Sequence, residues 1–259
     1  VTNLAHPSVL MPFLQEIDAA PRKSLSQNFL IDANIIRKIA DLAEIKEGDA
    51  VLEIGPGPGA LTQELLLRGA RVFAVEKDQR FAKHIREWPL KLYEGDFLTF
   101  PLEKFVKDAA PLKVVANLPY HIATPILQRL FEHHSLFSSA LVMIQREMAE
   151  RMMAEPNTKE MSSFTVFLKT YCDPSIAFHV SPNCFFPVPK VASTVVRLHF
   201  HPPLIENPDP FLAWVRQAFQ QRRKMLRSTL QIQGPYAERR PESLSYSEWV
   251  SLFQATFHG

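Results

Sequence analysis

Two cysteines, Cys172 and Cys184, are all that the 259 residues contain. So few thiols cannot frame a disulfide scaffold or a four-cysteine zinc site, and they suit a reduced, cytoplasmic compartment. Long apolar runs are missing as well. The longest near the start, Val9 to Leu14, is broken by Pro12 and has no basic segment ahead of it. Neither a membrane span nor a secretory leader is expected. The nine histidines show no HExxH-like spacing, so His133-His134 and the pair His199 and His201 read as surface or strand residues and no metal is expected. Charge of one sign is also lacking. A net charge of +2 says little about nucleic acid, and the distribution of charge matters more. Internal repeats and low-complexity stretches are absent.

What is present is ordinary for a globular protein, with 46% hydrophobic and 22% charged residues. Residues 1–24 carry Pro7, Pro12 and Pro21 and read as an extension lying on the main domain, with a short helix from Val9 to Asp18. Asp32 then caps a helix, and strand and helix patterns alternate. Strands are expected at 50–54, 71–75, 90–93, 113–116, 140–144, 175–180 and 193–200. Helices are expected at 60–68, 79–86 and 145–153, with another led by Thr124 as N-cap and Pro125 at its first position. Such alternation predicts an α/β fold, a mostly parallel sheet with helices on both faces. Pro202, Pro203, Pro208 and Pro210 mark a boundary near residue 201, and helical patterns follow at 211–225 and 247–256. The tail is too small for a large core of its own and is expected to pack on the first domain.

Gly55, Gly57 and Gly59 follow a strand and open a helix, where backbone must come close to a ligand. The spacing also satisfies a dinucleotide fingerprint, with Glu76 at the end of the next strand, about 20 residues on, where a ribose-binding acid belongs. An NAD(P)-dependent oxidoreductase therefore stays open at this point. Against it, no tyrosine–lysine or histidine pair is spaced for hydride transfer. Glu53 ahead of the loop, with Pro56 and Pro58 stiffening it, favours S-adenosylmethionine, which carries no phosphate, over a dinucleotide, which needs room for its pyrophosphate. Asp96, after the third strand, can accept from an adenine amino group, or cap a turn.

Asn117-Leu118-Pro119-Tyr120 follows a later strand. The Asn117 side chain and the Leu118 carbonyl supply two acceptors for the hydrogens of a planar amino group. Held out of plane, that group regains a localised lone pair and becomes a nucleophile. Pro119 fixes the backbone, and Tyr120 offers a face for a ring. Phe185, in the stiff segment Asn183 to Lys190, is expected to sandwich an extruded base opposite Tyr120. An ordinary turn and a buried loop phenylalanine are the plain alternatives. Arg222, Arg223, Lys224 and Arg227 form a basic cluster suited to contacting phosphates, and Arg22-Lys23 a smaller one, with a solvated face as the plain alternative for either.

Together these residues resemble the ribosomal RNA adenine dimethyltransferase family, in its bacterial small-subunit branch. The resemblance covers nearly the whole chain. It runs from Ser26-Gln27-Asn28-Phe29-Leu30 through the glycine loop, Glu76, Asp96 and the 117–120 corner. It continues through Phe185–Lys190, Val195–Leu198 and the segment 221–227. It implies a Rossmann-like class I methyltransferase over residues 25–201 and a small all-helical RNA- or ribosome-binding domain over 202–259. It also implies that Asn28, Leu30, Gly55, Gly57, Gly59, Glu76, Asp96 and Asn117 hold S-adenosylmethionine. The implied reaction adds two methyl groups to N6 of two adjacent adenosines in a hairpin near the 3′ end of 16S rRNA. Its substrate is a pre-assembled small ribosomal subunit, with a part in subunit assembly, and loss of activity in the family gives kasugamycin resistance. A cytoplasmic monomer is expected. The rival within the same chemistry is the large-subunit, macrolide-resistance type. Four departures from the family pattern stand at Ser26, Ser162–Thr165, Val188 and Ser228; the middle two are expected to bear on how RNA is clamped.

Overall fold

β-Branched and apolar runs separated by amphipathic segments build a seven-stranded sheet in the structure, a computed structural model that describes residues 4–22 and 27–257. Lys23 and Ser26 lie outside the described residues. The strands are β1 (Phe29–Leu30), β2 (Ala50–Ile54), β3 (Arg71–Glu76), β4 (Lys91–Glu94), β5 (Leu112–Asn117), β6 (Phe137–Gln145), β7 (Cys172–Val180), β8 (Phe185–Phe186) and β9 (Ser193–Phe200). The main sheet has the order β4-β3-β2-β5-β6-β9-β7, and β1 and β8 form a separate antiparallel pair. Strands β2 to β6 run parallel, while β9 returns antiparallel beside β6, as its alternating pattern predicts. Neighbouring residues Val51 and Leu52 point to opposite faces and both are 0% exposed, so both faces are covered.

The helices are α1 (Pro7–Glu16), α2 (Ala33–Leu42), α3 (Ala60–Leu67), α4 (Gln79–Ile85), α5 (Leu102–Val106), α6 (Ala123–Glu132), α7 (Arg146–Met152), α8 (Ser163–Tyr171), α9 (Pro208–Gln220), α10 (Leu226–Thr229) and α11 (Tyr246–Phe257). Asp32 caps α2 by accepting from the amides of Asn34 and Ile35 at 2.9 and 3.2 Å. Ile36 and Ile39 of α2 and Leu61 and Leu65 of α3 then bury against Val51, Val72, Val115 and Leu141 of the sheet. Helix α6 departs from expectation. It begins at Ala123 behind a short 3-10 turn over Tyr120–Ile122, with Ile122 at the N-cap and no capping side chain. The turn has already set the helical course, so Thr124 is not needed as a cap. Helix α9 also ends earlier than expected, at Gln220, which leaves the basic run in the turn that follows.

The chain divides into two units, 1–146 with 175–200 and 147–174 with 201–259. The boundary near 201 is therefore one crossing of two, and residues 147–174 belong with the tail rather than with the sheet. Physically, the tail alone buries too little to hold a core. Helix α8 supplies the missing layer, packing on α9 and α11. Trp249 and Phe211 are 0% exposed there, and the rings of Trp214 and Trp249 meet edge-on at 5.9 Å. Residues Ser162–Thr165 open α8. The Ser162 amide donates to Thr165 Oγ1 at 3.3 Å, and that hydroxyl donates to the Arg151 carbonyl at 3.0 Å. Their visible role is to start a helix. In the first unit, α1 is part of the compact body, with Leu10 and Leu14 buried against Phe29 and Phe81. Among the described residues, no helix is long and apolar enough to cross a membrane.

Candidate active site

At the carboxyl ends of β2, β3, β4 and β5 the chain must reverse direction, and the sheet order switches between β2 and β5. An open α/β sheet forms a crevice at such a point. The glycine loop lies on this edge because side chains cannot. Gly55, Gly57 and Gly59 have φ of +69°, +56° and +97°. A Cβ on Gly59 would lie 2.5 Å from the Trp88 ring, and one on Gly57 would crowd Phe29 at 3.3 Å. The loop thus stays thin, and α3 starts directly from Gly59.

Glu76 ends β3 and is 6% exposed. It accepts from the amides of Gly57 at 2.9 Å and Asp78 at 2.7 Å, which locks the glycine loop to the neighbouring strand. Burial raises its pKa, and those amides act against the rise. Asp96, beyond β4, accepts from Lys77 Nζ at 2.8 Å and the Leu98 amide at 2.9 Å. Burial would raise Asp96, but Lys77, the Leu98 amide and the charge of Arg129 together outweigh it, and the carboxyl sits below its ordinary range. Asp78 shows the same contest in stronger form. Burial pushes up, yet bonds from Arg80 at 2.6 and 2.9 Å and from Gln27 at 3.0 Å hold it at about 2. Glu53, at the end of β2, has no such partners. Burial first, and Glu76 beside it, push it up to about 8, with Thr62 offsetting part.

Asn117 ends β5 and lines the same crevice as Asn28, Leu30, Gly55, Gly57, Glu76 and Asp96, whereas Gly59 starts α3 outside the lining. Its Nδ2 donates to the Asn28 carbonyl at 3.2 Å. That bond consumes the donor end of the amide and leaves Oδ1 as the acceptor end. Leu118 is pinned through its amide, which donates to the Met143 carbonyl at 3.0 Å, and its side chain is buried. Pro119 has φ −62° and ψ 125°, an extended corner that delivers Tyr120 to the crevice wall. The Tyr120 hydroxyl bonds Ser193 Oγ at 2.6 Å. Burial raises the Tyr120 pKa and the Ser193 bond opposes this, so the ring is neutral at pH 7.

Phe185 is not brought to this place. It is 1% exposed and packs in the main core with Leu30, its partner across the β1–β8 pair. The short strand turns its two phenylalanines to opposite sides, and Phe185 takes the buried one. The expected two-ring sandwich is therefore reduced to the Tyr120 face.

In the second unit, the four basic residues divide. Arg222 donates to the carbonyls of Lys159 at 2.6 Å and Thr158 at 2.8 Å, and Arg227 pairs with Glu238 at 2.7 Å. Arg223 and Lys224 are exposed. Arg222 is thus a clamp on the loop before α8, a role that follows from its folding partners and that charge patterning cannot separate from binding.

Several lining residues had no signal in the sequence. Leu4 and Leu10 reach the crevice from the N-terminal segment, and His121 and Ile122 from the turn after the corner. Ser193 carries no motif of its own. Its place opposite Tyr120 follows only from β9 lying next to β6.

The donor set fits S-adenosylmethionine. A side-chain-free loop, paired strand-end acids, a free amide oxygen and an unsatisfied buried carboxylate oxygen on Glu53 form a crevice suited to a polar, positively charged nucleoside. Comparison with known proteins agrees. The family described as "Ribosomal RNA adenine dimethylase" matches residues 19–244. The protein named "Ribosomal RNA small subunit methyltransferase A" of Protochlamydia amoebophila is 43% identical over 97% of this chain and 96% of its own length. That of Chlamydia muridarum is 42% identical over 95% of each. Among solved structures, a dimethyladenosine transferase from Plasmodium falciparum has a TM-score of 0.73 at 28% identity, covering 86% of this chain and 96% of that one. The 23S rRNA methyltransferase ErmE gives 0.69 at 27%, covering 88% and 98%. The first unit therefore has the class I methyltransferase fold, and the chain belongs to the ribosomal RNA adenine dimethylase family.

Proposed function

We propose that this protein uses S-adenosylmethionine to dimethylate N6 of two adjacent adenosines near the 3′ end of 16S rRNA. Its substrate is a pre-assembled small ribosomal subunit in the cytoplasm. The observation that carries the chemistry is the orientation of Asn117, whose amide nitrogen is spent on Asn28 so that its oxygen is free. The small-subunit target is supported by the relatives that share over 40% identity along almost the whole chain.

When bound, S-adenosylmethionine supplies a methyl group made electrophilic by its sulfonium sulfur. Glu76 and Asp96 receive the nucleoside's hydroxyl and amino donors, Leu30 covers it, and the glycine loop lets it approach the backbone. Asn117 Oδ1 and the Leu118 carbonyl accept the two hydrogens of the target amine and draw its lone pair out of the ring. Tyr120 holds the base flat by stacking, and the Ser193 bond keeps that ring from turning. Most of the rate then comes from positioning and from oxygens set where positive charge develops. The methylated nitrogen then gives up one proton to water, and either oxygen can hold the single remaining hydrogen for the second transfer. Exposed Arg223 and Lys224 contact RNA phosphates, and the enzyme acts as a monomer.

Incubation with labelled cofactor and each ribosomal particle tests this reading. Label is expected in small-subunit RNA as N6,N6-dimethyladenosine. Label confined to large-subunit RNA would transfer the protein to the rival branch.

A further inference from the structure

Glu53 stands apart from every other acid at the crevice. The loop amide of Gly57 goes to Glu76, and Leu98 and Lys77 serve Asp96. Glu53 is 2% exposed, lines the crevice, and its Oε2 is buried with no hydrogen-bond partner. An ionised carboxylate with so little hydrogen bonding is disfavoured in a protein interior, and such a group takes up a proton instead. Glu76 on β3 pushes its pKa the same way as burial does, and Thr62 offsets part of the rise. Lys77, Asp96 and His121 line the same crevice.

We propose that Glu53 is the counter-ion for the cationic end of the cofactor, and that it releases its proton when the cofactor enters. This rests on the methyl-transfer reading above. Burial without a cationic partner favours the neutral acid. A sulfonium or ammonium group placed within reach of Oε2 supplies the missing partner and makes the carboxylate the favoured form. The direction of its pKa without ligand, pushed up to about 8, is the one this requires. Linkage then fixes the sign. Below about pH 8 binding must drive off a proton, so affinity rises with pH, and above that value the rise ends.

Calorimetry of S-adenosylmethionine binding at pH 7, in buffers of different ionisation enthalpy, reads the proton directly. Wild type is expected to release close to one proton, and Glu53→Gln close to none, with circular dichroism confirming that the variant is folded. Wild-type affinity should rise about tenfold per pH unit between pH 6 and 7 and more weakly in the variant. S-adenosylhomocysteine, which lacks the sulfonium charge, separates the sources. Equal release with both ligands assigns the ammonium, and release with S-adenosylmethionine alone assigns the sulfonium. Binding by wild type without proton release, or equal release by wild type and Glu53→Gln, overturns this proposal and leaves the methyl-transfer reading standing. No binding at all overturns both.

Discussion

Tyr120 separates stacking from hydrogen bonding within one side chain. Its hydroxyl reaches Ser193, while its ring lines the crevice. Tyr120→Phe keeps the ring and loses the bond, so transfer should fall only a few-fold, about the value of one hydrogen bond near 1 kcal/mol. Tyr120→Ala removes the face as well and should cost roughly 10- to 100-fold, in line with about 1–3 kcal/mol per stacked base. Single-turnover rates at saturating cofactor distinguish the two, and equal losses would contradict the stacking role. The corner was legible residue by residue because its chemistry is local. Phe185 was not, because the sidedness of a two-residue strand depends on its pairing with β1, and that pairing is absent from the local pattern.

Elements add constraints that no single residue shows. The turn from β2 to α3 needs positive φ at Gly59 and space against Trp88, so Gly59→Ala meets both a backbone penalty and a 2.5 Å clash. A loss of about 1–3 kcal/mol is expected, read as a lowered Tm by circular dichroism. The turn from β3 to α4 depends on the Asp78–Arg80 pair, whose Arg80 also donates to the carbonyls of Asp18 and Ala20 and so ties down the segment after α1. Asp78 has a folded pKa of about 2, below the ordinary carboxylate value. Its stabilisation is therefore complete above about pH 4 and is lost as pH falls through about 2. Urea unfolding at pH 7 should show Arg80→Ala destabilised by about 1–3 kcal/mol, with the gap to wild type closing as pH approaches 2. A gap that does not change with pH would contradict the assignment. Strand and helix positions in the first unit were readable from periodicity. Helix α8 was not, since it opens on a Ser–Thr cap after a stretch with Pro156 and Asn157 that reads as loop.

For the whole molecule, the second unit could not be read as a domain because its pieces, 147–174 and 201–259, are separated in sequence. The same separation hides the role of Arg222, which holds the carbonyls of Thr158 and Lys159. Arg223→Ala with Lys224→Ala should weaken binding to small subunits and flatten the salt dependence by about 0.7–0.9 per lost contact. Arg222→Ala should chiefly lower Tm. Filter binding across salt concentrations and thermal melts of each variant separate these effects, and an unchanged salt slope in the double variant would remove the two residues from the RNA interface.

The proposed mechanism rests on the Asn117 amide oxygen at the end of β5, which is to ready the target amine. The most direct measurement is the single-turnover rate of methyl transfer to small subunits by Asn117→Ala at saturating cofactor, with particle binding followed alongside. The rate should fall about 100- to 1000-fold, the usual cost of one pre-set electrostatic contact, while particle binding stays near wild type. A rate within threefold of wild type would mean that some other group readies the amine.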